Sequence, residues 1–114
     1  MTEKSKKYLL DILNSIALVE EFVKECKSFD IYIQDSKTKS AVERQLGIIG
    51  EAVNLYQKSA PNYPLENSSK IITFRNWLIH AYDAIDNTTV WAVIQIHLPI
   101  LKEEIRIRLR EVNN

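Results

Sequence analysis

Leu9, Ile12, Ile16, Val19, Val23 and Cys26 follow one another at intervals of 3, 4, 3, 4 and 3 residues. That spacing lays side chains along one stripe of an α-helix. Glu20, Glu21 and Lys24 fall off the stripe, so the pattern predicts an amphipathic helix over about 4–28. Phe29 to Gln34 breaks the rhythm and reads as a connector, with Asp35 or Ser36 as the N-cap of the next helix. Val42, Leu46, Ile49, Val53 and Tyr56 then predict a second helix over about 36–58. Ser59 to Pro64 carries two prolines and reads as a loop, and a third helix starts near Glu66 or Ser68 and runs to Tyr82. After a short turn capped by Asp86 or Asn87, a fourth helix over about 88–112 buries Val90, Ile94, Leu98, Leu101 and Ile105. Four helices with short connections predict an all-α, up-and-down four-helix bundle, with room for a fifth short helix. At 114 residues the chain is expected to be one domain, 1–114.

Two residue types disturb this pattern. Gly47 and Gly50 lie inside the second helix, where each costs roughly 1 kcal/mol relative to alanine. Their presence predicts the close approach of another backbone, either at a tight helix crossing or at a dimer contact. Pro99 lies inside the fourth helix, removes one ladder hydrogen bond and predicts a bend there.

Composition narrows the class. Fifteen basic residues balance fifteen acidic ones, so charge alone does not mark a nucleic-acid binder, although a local basic patch is compatible with the count. A single cysteine, Cys26, excludes an intrachain disulfide and a thiolate metal cluster, and its place on the apolar stripe predicts a buried structural thiol. No run approaches the roughly 18 apolar residues of a membrane span, and no targeting segment is visible, so the expected location is the cytoplasm with no membrane contact.

The candidate chemistry is concentrated in Arg75-Asn76-Trp77-Leu78-Ile79-His80-Ala81-Tyr82. A guanidinium can hold a phosphate through paired hydrogen bonds, and an imidazole can move protons near neutral pH. At about 100° per residue, Arg75 and Tyr82 fall almost on one line, while His80 lies about 140° from Arg75 and shares a face with Asn76 and Asp83. The two key groups therefore do not stack on one regular helix. They meet if the arginine wraps round, if the helix is distorted, or if a second copy supplies one of them. Asp83 either orients the His80 imidazole or is simply solvated at the helix end. His97 has no comparable companions and reads as structural. Arg44, Gly47 and Glu51 share one stripe of the second helix, so Glu51 can pair with Arg44 or with Arg75. Trp77 and Trp91 read as packing aromatics.

The spacing Arg75-x4-His80-x-Tyr82 resembles the signature of the HEPN superfamily, and within it the HepT-like branch. The stretch Ala41-Val42-Glu43-Arg44-Gln45-Leu46-Gly47-Ile48-Ile49-Gly50-Glu51-Ala52, the lead-in Phe74-Arg75-Asn76, Ile85-Asp86 followed by Val90-Trp91, and the ending Leu98-Pro99-x-Leu101 resemble the same branch in the same order, over about residues 8–107. The resemblance implies a bundle of four to five helices that forms a homodimer with the motif lining a cleft. It implies an endoribonuclease that needs no metal or other cofactor and acts as a toxin. The implied partner is a minimal nucleotidyltransferase antitoxin that moves AMP from ATP onto the motif tyrosine. The matching positions are Arg75, His80 and Tyr82, with Asn76 as a further motif residue. On this reading the ribose 2′-hydroxyl attacks, His80 serves as general base, a second His80 serves as general acid, and Arg75 holds the scissile phosphate. AMP on Tyr82 would then block the cleft and compete for the guanidinium. Zero net charge and the acidic Asp83 beside Tyr82 suit RNA less well than a basic surface would. The rival readings are a non-catalytic module that binds a nucleotidyltransferase or a nucleotide, and a purely structural helical dimer.

Overall fold

The computed structural model describes residues 1–81 and 84–113; Tyr82, Asp83 and Asn114 lie outside the described residues. Helix α1 (Glu3–Phe22) starts where the Thr2 hydroxyl accepts the Ser5 N–H at 3.1 Å. Its stripe is buried as expected through Val19. The helix ends at Phe22 rather than near residue 28, because the chain turns through Val23–Cys26, where the Cys26 N–H bonds the Val23 carbonyl at 2.8 Å.

The expected connector is instead a short helix, α2 (Phe29–Gln34), which gives five helices among the described residues when the continuous stretch from Asn87 to Asn113 is taken as one. Ser28 supplies the missing start signal: its hydroxyl accepts the Ile31 N–H at 3.3 Å. Tyr32 projects from α2 into the core, fully buried, and stacks on Trp91 with ring centroids 5.1 Å apart. Burial pushes its phenol well above the ordinary range.

Helix α3 (Ser36–Ser59) forms the spine. Asp35 caps it, accepting both the Thr38 N–H at 3.0 Å and the Thr38 hydroxyl at 2.7 Å. These bonds hold the Asp35 carboxyl below the usual carboxylate range. The whole stripe from Val42 to Tyr56 is buried. Ser5 near the start of α1 hydrogen-bonds Ser59 at the end of α3, 3.1 Å between hydroxyl oxygens, so the two helices run antiparallel. The loop that follows is tied down by the Tyr56 hydroxyl on the Tyr63 carbonyl at 2.7 Å and by Arg108 on the Pro64 carbonyl at 2.8 Å.

Helix α4 (Ser68–Ala81) carries the candidate chemistry and packs on α3. Gly50 makes that packing possible, and only Gly50 does. A Cβ built there would overlap Arg75 Cβ and fall 2.6 Å from Arg75 Cγ, whereas a Cβ on Gly47 would meet nothing within 4 Å. The tight-crossing explanation thus holds for Gly50, while Gly47 leaves a strip of bare backbone on the outer side of α3.

The last helical stretch comprises α5 (Asn87–Ala92), a π-helical turn (Val93–His97) and α6 (Leu98–Asn113). Asp86 caps it through the Thr88 N–H at 3.0 Å. The disturbance expected at Pro99 takes the form of this π turn just upstream, in which the Leu98 N–H reaches back five residues to the Val93 carbonyl. Val90, Ile94 and Leu98 are spaced by four, which would drift about 80° round a regular helix. The wider π turn absorbs that drift, and Ile94, Leu98, Leu101 and Ile105 all stay in the core. No helix among the described residues is long and apolar enough to cross a membrane.

The two interior glycines should respond in opposite directions. Gly50→Ala is expected to lower the unfolding free energy by about 1–3 kcal/mol through overpacking against Arg75. Gly47→Ala should raise it by up to about 1 kcal/mol through helix propensity. Urea denaturation of both variants checks this, and equal losses would contradict the geometry described.

Candidate active site

Arg75 leaves α4 directly over Gly50, so its Cβ and Cγ lie on the α3 backbone. From there the guanidinium reaches along α3 to Glu51, with Nη2 donating to Oε2 at 2.6 Å. Of the two partners available to Glu51 in the sequence, the fold selects Arg75 over Arg44. On its other side the guanidinium donates from Nη1 to the Asn76 side-chain oxygen at 3.0 Å. The Arg75 Nε–H is enclosed by protein and has no hydrogen-bond partner among the described residues.

His80 stands one turn further along α4, exposed at the C-terminal end of the helix. Its Nδ1 lies 2.8 Å from the Asn76 backbone carbonyl. A carbonyl oxygen only accepts, so Nδ1 carries the proton. In the neutral ring this leaves the Nε2 lone pair free, which is the form a general base requires. Arg75 and His80 lie about 140° apart round α4 and take different partners, Glu51 and the Asn76 carbonyl. Asn76 joins them, its side chain accepting from the guanidinium and its backbone from the imidazole. The sequence singled out Asn76 as a motif residue, but its linking role depends on rotamers that spacing does not reveal.

Tyr82 and Asp83 fall outside the described residues, so their expected places beside Arg75 and His80 are not part of this geometry. His97 departs from its packing role: it is exposed and lines a cleft of about 300 Å³ between α4 and α6. Leu46 and Ile49 of α3 also line that cleft, with Phe74 and Leu98. Arg75 and His80 do not line it, because Phe74 and Arg75 leave α4 on opposite sides of its contact with α3. Trp77 and Trp91 are half-buried; Trp77 packs on Phe74 with centroids 5.5 Å apart, and Trp91 packs on Tyr32 and Phe29. Cys26 is buried, and burial pushes its thiol up.

An arginine held by an acid and an amide, linked through that amide to an imidazole of defined tautomer, has the chemistry to meet an anion and to move a proton. The family model described as ribonuclease HepT-like matches residues 12–107, and the chain belongs to that family. It is 37% identical over 106 residues to a protein of Thermococcus cleftensis named "Probable ribonuclease HepT", covering 90% of this chain and 93% of that one. A protein of Methanocaldococcus jannaschii assigned as an RNase is 35% identical, over 90% of this chain and 94% of its own. Another from Caldanaerobacter subterraneus, also assigned as an RNase, is 33% identical over 87% and 88% of the two chains. No solved structure matches the chain at a significant level.

The tautomer is open to direct measurement. Nitrogen NMR of the neutral His80 ring should show the proton on Nδ1; a proton on Nε2 would contradict the Asn76 contact.

Proposed function

We propose that this chain is an endoribonuclease toxin that cleaves RNA by attack of a ribose 2′-hydroxyl on the adjacent phosphate, and that a nucleotidyltransferase silences it through AMP on Tyr82. Membership of the HepT-like family supports the ribonuclease class. The observation that carries the mechanism is the Arg75–Asn76–His80 linkage. His80 Nε2 removes the 2′-hydroxyl proton as its oxygen bonds to phosphorus. The 5′-oxygen leaves and takes a proton from a second imidazole. The products are a 2′,3′-cyclic phosphate and a 5′-hydroxyl. Arg75 meets the negative charge that gathers on the phosphoryl oxygens in the transition state. Because the nucleophile belongs to the substrate, proton transfer and charge stabilisation by side chains are enough for this reaction.

One chain offers a single suitable imidazole, since His97 lies on the other side of the α3–α4 contact. The second acid is the His80 of another copy, which makes the working unit a homodimer. The outer side of α3 and α4 supports this reading. Gly47 lies one turn before Glu51 and meets nothing; Ile79 lies one turn after Arg75 and is 50% exposed, and Ile48 is 38% exposed. Two such faces placed together bury apolar surface and bring two copies of the site toward one axis.

Purified protein incubated with RNA in EDTA should leave cyclic phosphate ends. His80→Ala is expected to reduce the rate by about 10²–10⁴, and Arg75→Ala by about 10²–10³. Equal cleavage by wild type and both variants would assign the activity to a contaminant and remove the reading. Intact-mass measurement with ATP and the cognate nucleotidyltransferase should show added AMP that Tyr82→Phe abolishes; AMP retained on that variant would place the modification elsewhere.

A further inference from the structure

Neither proton transfer nor phosphate binding uses Glu51, yet this carboxylate lies against the cation that phosphate binding depends on. A guanidinium carries five N–H donors. In Arg75, Nε–H is enclosed, one Nη2 hydrogen goes to Glu51 and one Nη1 hydrogen goes to Asn76. Among the described residues two donors remain, one on each terminal nitrogen. That pair matches the two-point demand of a phosphate.

The arginine is also fixed along its length. Its first carbons lie on Gly50, Glu51 holds one edge of the guanidinium plane and Asn76 holds the other. An unrestrained arginine would have to give up much of its rotamer freedom when it met the phosphate. Here that ordering is built in before substrate arrives. The carboxylate lowers the net positive charge facing RNA, so its contribution is aim rather than attraction. Glu51 is 43% exposed and its partner 25%, which makes the pair a weak contributor to stability.

We propose that Glu51 is a positioning residue for Arg75: it sets the guanidinium plane so that the two remaining N–H groups face the scissile phosphate. This rests on the ribonuclease reading and assigns a residue beyond the reacting pair. Glu51→Ala should lower kcat about 10- to 100-fold and leave KM unchanged or lower, since a misaimed but more positive arginine still attracts RNA. Glu51→Gln keeps an acceptor oxygen at the same reach and should recover most of the loss. In an Arg75→Ala background, Glu51→Ala should add nothing further. An unchanged kcat in Glu51→Ala would reduce the pair to a surface contact and overturn the proposal. A higher kcat/KM would overturn it too, by showing that Glu51 competes with substrate for the guanidinium.

A second measurement is independent of activity. NMR of the Arg75 guanidinium should resolve separate Nη signals in the wild type, from hindered rotation, and averaged signals in Glu51→Ala. Signals that are the same in both would overturn the positioning role. Resolved signals that collapse in Glu51→Ala, in a protein that leaves RNA intact, would retain the positioning role and remove the ribonuclease reading instead.

Discussion

The site depends on the contact between the α3 backbone at Gly50 and the first carbons of Arg75. No residue with a Cβ fits at position 50 with α4 where it is. The contact therefore fixes the separation of the two helices and the direction in which the arginine leaves the bundle. Glu51 follows Gly50 by one residue, so the carboxylate that meets the guanidinium comes from the same turn that admits the arginine. Asn76 follows Arg75 by one residue and closes the other edge. A glycine and three polar side chains, adjacent in pairs on α3 and α4, thus hold the guanidinium on both edges.

The same crossing sorts the surface of α4. Phe74 faces the cleft shared with α6, while Arg75 and Ile79 face the opposite side. The cleft between α4 and α6 and the polar constellation thus have different linings, the cleft taking Phe74 and the constellation Arg75 and His80. A site on a helix face is open to a long, flexible substrate such as a polynucleotide, and it can be completed by a second copy. His80 fits that arrangement, because the Asn76 carbonyl anchors one nitrogen and leaves the other directed away from its own backbone.

Much of this was legible in the chain. The apolar stripes located the long helices and most of the core, because burial of one face is what an amphipathic pattern encodes, but Tyr32, Ala52, Ala60, Leu65 and Leu78 lay off the named stripes. The caps were legible to within one residue, Asp35 or Ser36 and Asp86 or Asn87, because capping is local chemistry, and the structure selects the two aspartates. The short α2 helix was not, since six residues carry too little periodicity and its start rests on the single hydroxyl of Ser28. The π turn was not legible either: Pro99 announced a fault in the ladder, but where the fault falls depends on keeping Val90, Ile94 and Leu98 in one core. The spacing placed Arg75 and His80 on different faces of α4, and the two side chains take different partners, Glu51 and the Asn76 carbonyl. The choice between two partners for Glu51, and the role of the Asn76 amide, required rotamers and an interhelical distance that residue spacing does not contain. Gly47 and Gly50 looked alike in sequence and proved different, because only packing tells which side of a helix is covered.

The most direct test of this account is the cleavage rate of Gly50→Ala, read under conditions where circular dichroism shows the variant folded. If the helix crossing builds the site, the added methyl displaces Arg75 from Glu51 and Asn76, and cleavage falls at least about tenfold while helicity is kept. A folded Gly50→Ala protein that cleaves RNA at the wild-type rate would contradict it.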